Sequence, residues 1–295
     1  MVTQVSKPSA AAPNRTLGRQ SLRAMARNWI CGALALLLIV TGRVRRARKK
    51  AQSGDVITAI YFHHPNRRLF SRCVQWLRKH GYTFLSEEDV WEMLRRGAPF
   101  PKGGVWLSFD DGCQDLLENV LPLVNQYKLP VTLYIPSGIV DGNGLFPWVE
   151  GGEASRTKST RDAMTLNELH AVAGHSEVTI GSHTVTHAHM ARCSGEELMR
   201  ELGESKQSLE SWVGYSIKSF SFPYGEFDGR EREYLVHCGY KAAVTTENAF
   251  IGPEAEMYRI PRFAVANDIS FPEAICNMVG VWRPVLDGIK RRIKG

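Results

Sequence analysis

Two adjacent acids end the stretch Val105-Trp106-Leu107-Ser108-Phe109-Asp110-Asp111-Gly112. The apolar part is rich in β-branched and aromatic residues and has glycine on both sides, which predicts a buried strand. In an extended chain successive side chains point to opposite sides, so Asp110 and Asp111 can serve different tasks, one on a metal and one on a water or substrate. Taken alone, Asp-Asp-Gly is also the composition of an ordinary turn.

A second polar cluster, Gly181-Ser182-His183-Thr184-Val185-Thr186-His187, follows the β-branched run Val178–Ile180. The four-residue spacing can bring both imidazoles to one side of a helical turn or loop, although a single His-x-x-x-His is often coincidental. Two neutral imidazoles and a carboxylate form a facial ligand set for a divalent metal. Such a metal acidifies its bound water, and a neighbouring acid can then take the proton.

The chain from residue 55 onward alternates strand-like and helix-like segments. Strands are predicted at 56–62, 105–109, 131–135, 178–180, 217–222, 241–245 and 260–263, and helices at 70–79, 87–96, 116–127, 165–173, 195–213, 229–238 and 270–278. This alternation predicts a parallel sheet covered by helices, either open or closed as a barrel. Phe222-Pro223-Tyr224-Gly225 also ends a predicted strand. Because sites of such folds lie at the carboxyl ends of strands, the three clusters can converge on one pocket.

The net charge of +7 is unevenly placed along the 295 residues. Residues 1–50 hold eleven Lys and Arg and no acid, so the other 245 residues carry 26 bases and 30 acids, a net of −4. Nucleic-acid binding is therefore not expected of the body. A basic tail, 283–295, closes the chain, and six cysteines without metal-type spacing indicate free thiols. Oligomeric state is not predicted.

The N-terminal segment divides at residue 28. Residues 1–28 lack apolar periodicity and are predicted to be a disordered basic tail. Residues 29–50 form an apolar run with a basic flank, shorter than the roughly 20 apolar residues of a full span. Arginines stand where a signal-peptide cleavage site would be, so we expect an uncleaved membrane anchor, either a short span or an interfacial helix. A helix packed on the protein's own body is the alternative. The denser basic cluster after the run favours a cytoplasmic body.

The glycine- and serine-rich stretch 141–161, which carries Trp148, is a long insertion before a helix. Long loops on compact domains are often lids or substrate contacts, and a merely solvated loop is the alternative.

The three clusters resemble the first three motifs of the polysaccharide deacetylases, the NodB-homology or carbohydrate esterase family 4 group. The resemblance extends to Tyr61-Phe62-His63-His64 and to Glu201 and Ser205, and covers residues 55 to 265. It implies a catalytic domain, 51–282, folded as a distorted (β/α) barrel of about seven parallel strands, with the N-terminal hydrophobic helix outside it.

The resemblance also implies the site. Asp110 would be the general base, while Asp111, His183 and His187 would bind a divalent metal, commonly zinc. The backbone N–H of Tyr224, in a turn that begins with Pro223, would stabilise the tetrahedral oxyanion. The implied reaction removes an acetyl group from an N-acetylated amino sugar of a polysaccharide or glycan and releases acetate.

Three departures from the family pattern matter. Ser221 stands where the best-studied members have an arginine that orients the base, and neither the later Asp/Trp motif nor a Leu-x-His near the C-terminus is present. The chain is thereby more similar to the poly-N-acetylglucosamine deacetylase branch. Arg259 and Arg262 are candidates to replace the missing arginine. His63 and His64, with His189 a weaker third, are candidates for the general acid.

Two other functions stay open. The apolar segment and the basic C-terminus favour a deacylase of a lipid-linked sugar at a membrane surface. The missing arginine and acid favour a catalytically idle sugar-binding protein of the same fold, whereas the retained acids and histidines argue against it.

Overall fold

The computed structural model describes residues 22–141 and 163–294. In these ranges, parallel strands form one sheet at the centre of the molecule. They are β1 Thr58–Phe62, β2 Thr83–Leu85, β3 Gly104–Phe109, β4 Val131–Ile135, β5 Val178–Ser182, β6 Ser219–Ser221, β7 Ala242–Val244 and β8 Phe263–Ala264. Seven strands follow the order β7-β6-β5-β4-β3-β1-β8, and β2 pairs with the first half of β3. The predicted parallel α/β sheet is confirmed.

One short segment connects the two ends of this sheet. Ile260 bridges Val244 of β7 in parallel, and Phe263, three residues later, pairs with Ile60 of β1. The segment therefore bonds first to one edge strand and then to the other. The result is the distorted barrel that the resemblance implied, with a single irregular segment where a regular strand was predicted at 260–263.

Helices cover the outside of the sheet. They are α1 Leu22–Val40, α2 Arg43–Ala51, α3 Arg67–Lys79, α4 Glu87–Arg96, α5 Leu116–Asn119, α6 Leu121–Tyr127, α7 Ser137–Asp141, α8 Leu166–Ala173, α9 Gly195–Val213, α10 Glu231–His237, α11 Phe271–Met278 and α12 Trp282–Lys294. Ser86 and Thr165 cap α4 and α8 with complete capping boxes. The single helix predicted at 116–127 is wrong: Pro122 lies in the first turn of α6, which starts a separate helix.

Both faces of the sheet are buried. Successive side chains along each strand point to opposite faces, so neighbouring residues pack into different clusters. On β3, Val105, Leu107 and Phe109 pack under the outer helices, whereas Trp106 belongs to a separate inner cluster with Tyr134. The inner cluster fills the barrel, so the interior is a packed core and the open space lies at the strand ends.

The N-terminal helix α1 begins at Leu22, within the region predicted to be a tail, and the rest of that region lies outside the described residues. It packs on α11, burying Ala35 and Leu38, while Trp29 and Val40 on its other face are 78% and 82% exposed. Within the described ranges, α1 and α2 qualify as a membrane-crossing segment only if taken together, and a 67° bend separates them.

Two further predicted segments can be placed. The basic C-terminal tail predicted at 283–295 is helical through Lys294, as most of α12. The insertion predicted at 141–161, with Trp148, lies outside the described residues apart from Asp141.

Candidate active site

The three sequence clusters meet around one cavity of about 640 Å³ at the carboxyl ends of the strands. β1, β3, β5 and β6 each end at this cavity, so residues far apart in the chain become neighbours. Its lining residues are Tyr61, His63, Asp110, Asp111, His183, His187, Phe222, Tyr224, Thr246, Asn248, Ala264 and Arg283.

Three side chains form a candidate metal centre within this cavity. Oδ1 of Asp111 lies 3.5 Å from Nε2 of His183 and 3.4 Å from Nε2 of His187. The Nδ1 atom of His183 lies 2.7 Å from the carbonyl oxygen of Ser221. Because a carbonyl can only accept, Nδ1 carries a hydrogen, so Nε2 is the His183 nitrogen that faces Asp111 and can serve as a metal ligand.

The electrostatics of this group suit a cation. Burial opposes ionisation of Asp111, yet the two imidazoles hold its pKa well below the usual range. Burial lowers the pKa of His187, which favours the neutral imidazole that metals bind. One ionised carboxylate and two imidazoles, with ligand atoms within 4.8 Å of one another, fit a divalent metal of the zinc type.

Backbone strain is concentrated around the same group. Five non-glycine residues in the described ranges have positive φ, and four of them belong to the site: Asp111, Thr184, His187 and Tyr224. Each such residue costs of order 1 kcal/mol or more, so the surrounding contacts must hold it in place. Asp111, His187 and Tyr224 line the cavity, and Thr184 lies in the loop between the two histidines.

The loop that carries the histidines is held by Glu201 of α9. This buried carboxylate accepts hydrogen bonds from the backbone N–H groups of Val185 and Thr186, both at 2.9 Å, and from the Thr186 hydroxyl at 3.0 Å. The hydroxyls of Ser182 and Ser205 hydrogen-bond at 2.8 Å nearby. These contacts with α9 thus hold the histidine loop in place.

Asp110 is paired with Arg262, which is fully buried. The guanidinium donates to both Asp110 oxygens at 2.8 Å, to the hydroxyls of Ser108 and Ser221 at 2.9 Å, and through Nε to the carbonyl of Thr245 at 3.2 Å. The Ser221 hydroxyl also donates to Asp110. Burial would raise the pKa of Asp110, but Arg262 holds it below the ordinary value.

Arg259, the other arginine candidate, is not at the site. It forms an ion pair with Glu247 on the surface and is about half exposed. Of the two side chains, only that of Arg262 turns inward to Asp110, whereas that of Arg259 turns to the surface.

The histidine candidates are separated by the structure. His63 lines the cavity, whereas Nε2 of His64 hydrogen-bonds to the side-chain amide of Asn267 at 2.8 Å. His189 stacks on the Tyr224 ring at 3.9 Å between ring centroids and pairs with Glu226 outside the cavity lining. His63 is therefore the candidate with access to a bound substrate.

The Pro223-Tyr224-Gly225 turn lies at the cavity, and Tyr224 is among its lining residues. Tyr224 has φ 58°, Gly225 N–H donates to the carbonyl of Phe222, and Pro223 is buried. A Cβ atom at Gly225 would lie only 1.9 Å from Oγ1 of Thr246, so glycine alone fits here.

Sequence reasoning missed three polar lining residues, Thr246, Asn248 and Arg283. They also line an adjoining cavity of about 410 Å³. Arg283 stands on α12, in the segment that its composition suggested was a tail, and no motif marks any of the three. The pocket is consequently extended along the surface beyond the catalytic cluster.

Comparisons with known proteins agree with this geometry. Residues 97–243, about half the chain, match the family model for polysaccharide deacetylase. Over 204 residues, 68% of this chain and 67% of the relative, the sequence is 24% identical to poly-beta-1,6-N-acetyl-D-glucosamine N-deacetylase of Staphylococcus aureus. The Staphylococcus epidermidis protein of the same name is 23% identical over 76% of this chain and 77% of its own length.

Solved structures show the same fold. The Streptococcus pyogenes deacetylase PplD, in complex with acetate, superposes with a TM-score of 0.63 at 21% identity, covering 76% of this chain and 98% of its own. IcaB from Ammonifex degensii gives a TM-score of 0.62 at 17% identity, covering 77% and 98%. From the family match, the curated relatives and the shared fold, the chain belongs to the polysaccharide deacetylase family and lies close to its poly-N-acetylglucosamine deacetylase branch.

Proposed function

We propose that this protein is a metal-dependent hydrolase that removes N-acetyl groups from an amino-sugar polysaccharide. One observation carries the proposal: an ionised, arginine-paired Asp110 lies beside a separate Asp111, His183 and His187 ligand set in one cavity. The arrangement supplies a base and a metal site as neighbours. A polymer substrate accords with the names of the staphylococcal relatives and with the adjoining cavity at Arg283.

The residues act in a simple order. Asp110 takes a proton from a water, whose oxygen forms a bond to the acetamide carbonyl carbon. The Tyr224 N–H donates a hydrogen bond to the negative oxygen that develops there. The carbon–nitrogen bond then breaks, and protonated His63 gives its proton to the leaving amine, releasing acetate and a free amino sugar. A divalent metal held by Asp111, His183 and His187, which we infer to be zinc, supplies Lewis acidity when bound.

The roles of residues that do not react with the substrate follow from their contacts. Arg262 keeps Asp110 ionised and oriented, in the place of the arginine absent at position 221. His64 orders the adjoining loop through Asn267. Arg283, Thr246 and Asn248 are positioned to contact a neighbouring sugar unit.

The test is metal content and acetate release, measured on the full chain with N-acetylglucosamine oligomers. We expect near-stoichiometric metal in the parent and in Asp110→Asn, loss of metal in His183→Ala, and loss of acetate release in both variants. Metal without turnover in the parent would point to a lipid-linked or differently acylated sugar. Absence of both would support the idle sugar-binding protein and contradict the proposal.

A further inference from the structure

The N-terminal helix α1 has two apolar faces, of which the protein buries only one. Ala35 and Leu38 pack into the body. The opposite side exposes large apolar side chains at 46% to 82%: Met25, Trp29, Ile30, Leu36, Leu37 and Val40. Helical periodicity places these on one continuous face, which we call the exposed face. A large, continuous apolar face that is exposed on a protein marks an interaction site.

An adjoining groove enlarges the exposed face. Met25, Trp29 and Leu36 line it together with Pro272 at the start of α11, and its volume is about 440 Å³. Its walls are mainly hydrocarbon, so they favour an apolar occupant over a polar ligand.

The charge on α1 and α2 themselves is entirely positive. α2 carries six Lys and Arg among nine residues and no acid, and Arg43, Arg45, Arg46, Lys49 and Lys50 are exposed. α1 and α2 carry no acid, so a symmetric contact with a second copy through these helices would leave their basic residues without an opposite charge. Apolar side chains flanked by exposed bases match the interface of an anionic bilayer.

Polar contacts hold α1 on the body. Nη2 of Arg27 donates to Oε1 of the buried Glu273 at 2.9 Å, and Nδ2 of Asn28 donates to the carbonyl of Asp268 at 3.1 Å. A helix that crossed a bilayer would give up these contacts and expose Ala35 and Leu38. The contacts therefore commit α1 to lie along the protein surface.

We propose that the exposed face of α1, with the basic α2, docks the protein in the plane of an anionic lipid surface. Loop residue Asp268 accepts a hydrogen bond from Asn28 of α1, and its neighbour Asn267 binds His64, which directly follows the cavity-lining His63. One loop thus contacts both α1 and the segment that carries His63. This deepens the proposed function by placing deacetylation at a membrane surface, while the docking itself does not require catalysis.

The experiment is co-sedimentation of the full chain, diluted from detergent, with vesicles of phosphatidylcholine alone or with roughly one third phosphatidylglycerol. We expect binding to the anionic vesicles to be at least about tenfold stronger than binding to phosphatidylcholine alone, and to weaken in high salt. Two variants should each bind the anionic vesicles about tenfold or more weakly than the parent: Trp29→Ser/Leu37→Ser and Arg45→Gln/Arg46→Gln/Lys49→Gln.

Matched controls separate docking from general surface effects. Val236→Ser removes an apolar side chain that is 54% exposed on α10, and Lys128→Gln/Lys218→Gln/Lys241→Gln removes three exposed charges just before β4, β6 and β7. Both should bind as the parent does. Asp110→Asn should also bind as the parent does, so vesicle binding and acetate release fail independently.

Three results would overturn the proposal. One is equal binding of the parent and the α1 variants to anionic vesicles. Another is retention of the chain in vesicles after alkaline carbonate extraction, which indicates a span. The third is a dimer in light scattering that Trp29→Ser/Leu37→Ser dissociates, which assigns the face to a second copy.

Discussion

Arg262 satisfies all five of its N–H donors inside the protein. Two go to Asp110, two to serine hydroxyls and one to a carbonyl, and the Tyr61 ring lies over the guanidinium at 4.4 Å. A buried arginine with this many fixed contacts is pre-organised and holds its partner carboxylate in one orientation. We infer that Arg262 is a positioning residue, which acts on the substrate only through Asp110.

The prediction for Arg262 concerns kcat. Arg262→Gln should lower kcat by about 10²-fold because Asp110 loses its bidentate partner, while KM changes little. Arg262→Lys should restore part of kcat, since it keeps the charge without the bidentate geometry. Steady-state acetate release measures both, and circular dichroism checks the fold. The matched control is Arg259→Gln, on the surface ion pair with Glu247; a comparable loss there would contradict the assignment.

His63 and His64 are adjacent in sequence, but we expect their substitution to have different effects on kcat. His63→Gln should lower kcat by roughly 10²-fold or more, because the leaving amine loses its proton donor. His64→Gln should cost much less, because His64 contacts Asn267 and not the cavity. A substrate with a better leaving group needs less protonation, so it should restore activity to His63→Gln. Equal losses in the two variants, or no rescue, would remove His63 from the general-acid role.

At the scale of elements, the metal ligands depend on how α9 meets the β5 loop. Two of the three ligands, His183 and His187, lie on a loop with strained residues, and Glu201 binds the backbone between them. Outer contacts of this kind commonly change metal affinity by about 10- to 100-fold when they are removed.

We therefore predict that Glu201→Ala weakens metal binding by about 10-fold to 100-fold with all three ligands intact. The loop loses three hydrogen bonds, so its strained residues relax from the binding conformation. Competition with a chromogenic chelator measures the affinity directly, without reference to activity. Glu204→Ala, exposed on the same helix, is the control, and equal affinity in Glu201→Ala and the parent would refute the bracing role.

The same scale shows what the sequence could predict. Capped, periodic helices such as α4, α8 and α9 were located because their start signals and apolar spacing are local. The three motifs predicted one pocket because parallel strands place their carboxyl ends together. α5 and α6 were merged because the apolar pattern runs through Pro122.

Other features depend on contacts between distant segments. Arg262 pairs with a residue 152 positions earlier, and composition alone ranks it equal with Arg259. α12 has the composition of a solvated tail, yet it places Arg283 on the cavity wall. Neither is encoded in a local pattern, since only the closure of the barrel brings these residues to the site.

For the whole molecule, a buried polar cluster lies within the barrel, away from the active-site cavity. Glu87, at the first turn of α4, is 4% exposed and accepts from the Ser219 hydroxyl at 3.2 Å and from the Thr132 hydroxyl at 3.3 Å. The Tyr134 hydroxyl lies 3.5 Å away, and Trp106 donates to Thr132. Burial raises the pKa of Glu87 to about 8, against the lowering effect of its hydrogen bonds.

This cluster makes the stability of the fold depend on pH. Glu87 stays protonated in the folded chain up to about pH 8 but ionises near its ordinary pKa of 4.5 when the chain unfolds. Between these values the folded state binds more protons, so the free energy of unfolding falls as pH rises and levels off above pH 8. Glu87→Gln cannot ionise, and we expect it to gain roughly 5 °C in Tm relative to the parent on going from pH 5 to pH 8. Thermal unfolding followed by circular dichroism at both pH values measures the difference. The control is Glu88→Gln, at the exposed neighbouring residue, whose Tm should change with pH as that of the parent does. If the Tm of Glu87→Gln also changed with pH as that of the parent does, this carboxyl would not titrate with folding.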